Sequence, residues 1–191
     1  MRRTATGTRP FGQSAFALAG YLIAFTLLAS RQSVHAAEAS LRGADVKSIL
    51  AEIKKPGAKA VLVNVWATWC EPCREEMPSL LKFFREHRAE GLRLVLLSVD
   101  DEANRDQVVA FLASQGVDFP TWIKRGDDGT LMRALDPEWS GNIPASFLFD
   151  GRGKAQQRSY GPVNDEALRE VWDRVVRKRK GAAKGTPLGK P

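Results

Sequence analysis

Only two cysteines and two histidines occur among the 191 residues of this chain. A structural zinc centre takes about four nitrogen or sulfur ligands, and the chain offers only Cys70, Cys73, His35 and His87, so no metal site is read from the sequence. A c-type haem attachment needs histidine directly after the second cysteine, and Arg74 stands there. A Pro-x-x-x-Thr-x-x-Cys peroxidase loop is missing. Acids are missing from both ends: residues 1–36 and 174–191 hold no Asp or Glu. Arg2, Arg3, Arg9 and Arg31 give the first flank +4. Seven Lys and Arg residues, Arg174 to Lys190, give the second +7. Removing both from the chain's +7 leaves the body at −4. The basic balance is thus a property of the flanks, and a basic nucleic-acid-binding face on the body is not supported.

Residues 1–36 read as an export signal. Arginines precede the apolar run Ala15–Ala29, and Val34-His35-Ala36 has the small-x-small pattern of a cleavage site. Fifteen helical residues span about 22 Å, short of a hydrocarbon core of about 30 Å. Cleavage and release are therefore favoured, with a signal anchor as the alternative when the segment is counted from Phe11. No cysteine follows the run, which excludes lipoprotein processing. Either route places the body outside the cytoplasm, where a pair of thiols can cycle with a disulfide.

Both cysteines fall within Trp66-Ala67-Thr68-Trp69-Cys70-Glu71-Pro72-Cys73-Arg74. Before it, Ala60–Trp66 is almost wholly apolar and rich in β-branched residues, as in a strand buried on both faces. After it, Cys73, Met77, Leu80, Leu81 and Phe84 repeat at helical spacing. Cys70 therefore sits at a strand-to-helix switch. Unpaired N–H groups and the positive helix end favour a thiolate there. Helical i, i+3 Cβ atoms lie about 5–6 Å apart and a disulfide needs roughly 3.8 Å, so a tightened first turn lets the pair open and close. Cys70 is expected to be the exposed attacking sulfur and Cys73, on the apolar stripe, the shielded resolving one. A purely structural bridge over so short a loop would constrain the unfolded chain little.

The segment from Val63 to Pro78, Val-Asn-Val-Trp-Ala-Thr-Trp-Cys-Glu-Pro-Cys-Arg-Glu-Glu-Met-Pro, resembles the active site of thioredoxin-like proteins of the TlpA/ResA type. The resemblance extends from about Ser40 to Val176. It implies an α/β fold in which a central mixed sheet is flanked by helices, with an extra helix and strand inserted before the cis-proline strand. It also implies a thiol–disulfide oxidoreductase outside the cytoplasm, working without a cofactor on cysteine-containing client proteins. Apocytochrome c is among the clients it suggests, and a membrane-embedded protein is the implied electron donor. The resemblance makes Trp69, Glu71 and Pro72 the active-site loop, gives Ile143 a cis bond to Pro144, and has the Ile143 backbone pair with substrate. Thioredoxins proper carry a buried Asp where this chain has Asn64. Glu76, three residues after Cys73, is the expected substitute, with a solvated surface charge as the other reading.

The body alternates legibly. A short helix (46–53), the strand at 60–66 and the active-site helix to about His87 come first. A strand (92–99), a helix ended by Gly116, a strand at 119–123 and a helical scrap at 130–135 follow. A hairpin (145–150, 154–160) and a last helix capped by Asn164 close the body. The organisation expected is an export segment (1–36), one thioredoxin-like domain (37–176) acting as a monomer, and a basic disordered tail (177–191). Trp66 and Trp69 are expected to pack beside the sulfurs. Glu71, Glu75 and Glu76 disfavour a thiolate, which points to a reductant with a potential nearer −270 mV than −120 mV, the two ends of the range at about those values. A copper carrier on the same fold is the alternative. Such carriers space their cysteines three apart and add a domain histidine, whereas here the spacing is two.

Overall fold

The computed structural model describes residues 40–183. Residues 1–39, which include the expected export segment, and residues 184–191 of the expected tail lie outside them. Within the described residues the order is β1 (Leu41–Ala44), α1 (Val46–Lys54), β2 (Ala60–Trp66), α2 (Glu71–His87), β3 (Leu92–Ser98), α3 (Arg105–Ser114), β4 (Thr121–Lys124), α4 (Asp128–Leu135), β5 (Ala145–Asp150), β6 (Ala155–Tyr160) and α5 (Asp165–Ala183). The six strands form one sheet in the order β1-β4-β3-β2-β5-β6. Parallel pairing joins β1, β4, β3 and β2, and β5 runs against both of its neighbours.

All seven residues of β2 are buried, because it is hydrogen-bonded on both edges and covered on both faces. Its alternation sorts the core. Ala60, Leu62 and Trp66 face α2, α3 and α5, packing with Met77, Leu80, Phe83, Leu112 and Trp172. Val61, Val63 and Val65 face α1 and α4, packing with Ile49, Ile53, Leu131 and Phe147. Full burial of each large apolar side chain contributes about 1.5–3 kcal/mol. Asn64 takes the α2 side of the same alternation and is fully buried.

Local chemistry explains the boundaries. Asp45 caps α1 by accepting from the Ser48 amide at 2.8 Å. Gly116 ends the third helix with φ +66°, a conformation that costs glycine little. Three elements depart from the sequence reading. The strand expected from Phe119 starts at Thr121, since Pro120 has no N–H for the ladder. The four-residue β1 was not foreseen; it is too short to show a period. The last helix continues to Ala183, so the boundary set at Val176 falls inside a helix, and the start of the expected disordered tail is helical.

Candidate active site

Cys70 and Cys73 form a disulfide. It lies at the amino end of α2, directly after the buried strand β2 and a turn in which the Cys70 amide donates to the Ala67 carbonyl at 3.2 Å. Cys70 is the N-cap residue, and its sulfur accepts from the Cys73 amide at 3.3 Å. Pro72 falls in the first turn of α2, where a missing N–H removes no intrahelical bond. The exposure of the sulfur pair is smaller than expected. Cys70 is 5% accessible and Cys73 0%, so the asymmetry has the foreseen sign, but both sulfur-bearing residues are buried.

Glu76 is not a solvated helix charge. It is 6% accessible, on the α2 face that also carries Cys73. Its Oε1 accepts from the Asn64 side-chain amide at 2.8 Å and its Oε2 from the backbone amide of Val163 at 2.8 Å. The same Asn64 amide donates to Ser146 Oγ at 3.1 Å. Burial pushes the Glu76 carboxyl above its ordinary value, against the opposing pull of the Val163 and Asn64 hydrogen bonds. Glu71 and Glu75 are exposed. The Arg74 guanidinium lies over the Phe111 ring at 5.6 Å, and Phe111 in turn lies 5.1 Å from Trp66.

Trp69 departs from expectation more clearly. Trp66 is fully buried, but Trp69 is 67% exposed, because it precedes the helix cap on the outside of the turn. It lines a cleft of about 140 Å³ together with Ile143, Met132 and Trp139. The Ile143–Pro144 bond is cis, and Pro144 is buried at the start of β5, whose first residue pairs with Val65 beside the active-site turn. The loop leading to it is tied down by Asp136. That carboxylate, 2% accessible, accepts from the Tyr160 hydroxyl and pairs with Arg158. The Trp139 indole donates to the Asn142 carbonyl at 2.9 Å.

The Redoxin family model matches residues 33–173. The chain belongs to this family. Among curated relatives, the redoxin is 31% identical to the sporulation thiol-disulfide oxidoreductase A of Bacillus subtilis, over 62% of this chain and 68% of the relative. It is 29% identical to the thiol-disulfide oxidoreductase ResA of Bacillus anthracis, over 69% and 72%. It is also 32% identical to the thiol:disulfide interchange protein DsbE of Yersinia pestis, over 85% and 87%. The solved structure of StoA from Bacillus subtilis superposes with a TM-score of 0.51 at 27% identity, covering 63% of this chain and 86% of that one. The redoxin is thus a thiol–disulfide oxidoreductase of the TlpA/ResA type, and its two cysteines are joined as a disulfide at the amino end of α2.

Two groups at this redoxin's site escaped the sequence reading, the Asp100 carboxylate and the Val163 backbone amide. Asp100 is fully buried beyond the end of β3 and accepts from the Thr68 amide at 3.0 Å, the Thr68 hydroxyl at 2.6 Å and the Ser98 hydroxyl at 2.7 Å. An acid directly after an apolar strand, at the carboxyl edge where α/β sites gather, was the available signal. Val163 enters through its backbone, which no side-chain pattern announces. His87, the imidazole that a copper carrier would need, ends α2 far from the sulfurs. It sits against Phe83 and Trp172 and bonds Glu90.

Proposed function

We propose that this redoxin is a reductase of disulfides in client proteins outside the cytoplasm. The observation that supports it most is Glu76, buried on the helix face of Cys73 and held by Asn64 and Val163. A carboxyl with a raised pKa can take the Cys73 proton when that sulfur must become a nucleophile, and its negative charge disfavours a standing thiolate. The dithiol is then the less favoured state and gives up its electrons.

In the reaction, the Cys70 thiolate attacks one sulfur of the client disulfide and the other leaves as a thiolate. Cys73, its proton passed to Glu76, attacks Cys70 Sγ and expels the second client sulfur. The client gains two electrons, its two thiolates take up the proton held by Glu76 and the one Cys70 had released to solvent, and the redoxin is left as the disulfide. The Ile143 backbone, ahead of cis-Pro144, pairs with the client chain beside its cysteine, and Trp69, Glu71 and Pro72 frame the contact. Apocytochrome c is one such client. A membrane-embedded donor returns the dithiol, and the mature chain begins near Ala37 after loss of residues 1–36.

Titration of the purified protein against glutathione or dithiothreitol tests the direction. A potential around −270 mV supports a reductase; one near −120 mV, the strongly oxidising end of the range at about that value, overturns it. Cell fractionation with mass spectrometry tests the location. A soluble extracytoplasmic species starting near Ala37 supports release, and residues 11–30 retained in membranes would establish an anchor.

A further inference from the structure

Asp100 is a buried acid that disulfide exchange itself does not use. Its carboxylate has no accessible surface, and it receives both the amide and the hydroxyl of Thr68. The Ser98 hydroxyl donates to it as well, and the Asp100 amide donates back to Ser98 Oγ at 3.0 Å. One residue earlier, the Val99 amide donates to the Trp66 carbonyl at 2.9 Å. The end of β3 therefore grips the turn that carries Cys70 at two points. Inside the turn only the 3.2 Å bond from the Cys70 amide to Ala67 holds it closed.

In the oxidised protein the S–S bond also fixes Cys70 to α2. When that bond opens, α2 still holds Cys70 through the Arg74 amide, which donates to the Cys70 carbonyl at 3.2 Å, and the grip on Thr68 holds the turn from the β3 side. We propose that Asp100 is a positioning residue for the redox reaction: through Thr68 it keeps the Cys70 sulfur at the amino end of α2, within reach of Cys73, while the pair is reduced. This holds for electron flow in either direction and does not rest on the reductase reading.

Loss of the grip frees the dithiol more than the disulfide. The gain in chain entropy falls on the reduced state, so closing the disulfide becomes less favourable and the potential rises. A freed Cys70 also spends less time at the helix end that favours its thiolate, so its thiol titrates higher. The combination is diagnostic, because removing a nearby negative charge would raise the potential while lowering the thiol pKa.

The full-length protein is compared with Thr68→Val, which deletes the hydroxyl without changing charge, with Asp100→Ala, and with the conservative Thr68→Ser and Asp100→Asn. Potential is read by dithiothreitol titration, thiolate by absorbance at 240 nm, and melting temperature in both redox states. Thr68→Val and Asp100→Ala are expected to move the exchange constant about tenfold toward the dithiol, about 30 mV, with the Cys70 titration shifted up. Thr68→Ser should return both toward wild type, since it keeps the hydroxyl and the amide; Asp100→Asn should return them only in part, since its one oxygen can still accept from the Thr68 amide but its NH2 must donate where Asp100 accepted from the Thr68 hydroxyl. Equal losses of melting temperature in the two redox states with an unmoved potential would reduce Asp100 to a structural group. A risen potential with a lowered thiol titration would assign the effect to charge. Should Asp100→Ala fail to fold, Thr68→Val decides alone.

Discussion

The side-chain amide of Asn64, in the middle of β2, donates at 2.8 Å to the carboxylate of Glu76 on α2. A fully buried strand residue thereby sets the place of the acid that shares a helix face with Cys73. The strand supplies the amide that holds it and the helix the carboxyl.

Glu76→Gln should lower the apparent thiol pKa values and make the pair more oxidising. One pKa unit is about 1.4 kcal/mol, and about 30 mV matches it for a two-electron couple, so a shift of some tens of millivolts is expected in a dithiothreitol titration. An unmoved potential and thiol titration would leave Glu76 with no part in the exchange.

The same acid makes stability depend on pH. Its folded pKa is raised by burial above the ordinary 4.5. Its contribution is therefore fully present below pH 4.5 and is lost as pH rises through the folded value. Denaturation of oxidised wild type and Glu76→Gln, each at pH 4 and pH 7, should show wild type losing more stability than the variant on going to pH 7. A pH-independent difference between the two proteins would contradict the burial argument.

The cysteine roles separate by trapping. Cys73→Ser should accumulate mixed disulfides with client proteins, because the resolving sulfur is gone, and Cys70→Ser should accumulate none. Equal trapping by both would reverse or dissolve the assignment that the 5% and 0% accessibilities support.

Tyr160→Phe should lower stability at pH 7 by about 1 kcal/mol, an ordinary net hydrogen bond; the hydroxyl's 42% exposed residue keeps the effect at that modest scale. The Tyr160 hydroxyl holds the Asp136 carboxyl below its ordinary 3.8. That stabilisation is present above pH 3.8 and fades as pH falls through the folded value, so the penalty should shrink in acid. Tyr160 itself is pushed up to about 12, chiefly by its bond to Asp136, and should ionise late in an alkaline absorbance titration. Ionisation near 10, the ordinary tyrosine value of about that size, would deny the pairing.

Gly141→Ala should slow exchange with protein clients more than exchange with a small disulfide such as oxidised glutathione. Gly141 holds φ +91°, and an added Cβ would lie 2.9 Å from Met132 Cε. The methionine tip can yield, but the backbone strain, about 1–3 kcal/mol, moves the loop that leads to Ile143. Equal slowing with both substrates would detach this loop from client binding.

Long periodic segments were legible in the sequence. The run Ala60–Trp66 and the stripe from Cys73 to Phe84 carry their periods openly, and β2 and α2 lie where those periods put them. Site residues supplied by other elements were not legible. The partners of Glu76 come from positions 12 and 87 residues away in sequence, and that of Thr68 from 32 residues away. Side-chain direction at a turn was also hidden. Trp69 follows the buried Trp66 by three residues but turns outward, because the chain reverses at Ala67–Cys70 before the helix begins. Short edge elements such as β1 carry too few residues for any period to register.

The narrow joint between β3 and β4 gives the sheet two tiers of cohesion. Seven register pairs tie β2 to β3, but only Leu97–Trp122 and Ser98–Ile123 tie β3 to β4, and β1 reaches the sheet through β4 alone. With fewer ladder bonds to break, the outer pair β1/β4 should open before β3-β2-β5, so amide hydrogens of Leu41–Ala44 and Thr121–Lys124 are expected to exchange faster than those of Ala60–Trp66. The disulfide is mounted on the inner tier. The redox centre can therefore stay assembled through fluctuations that strip away one flank of the molecule.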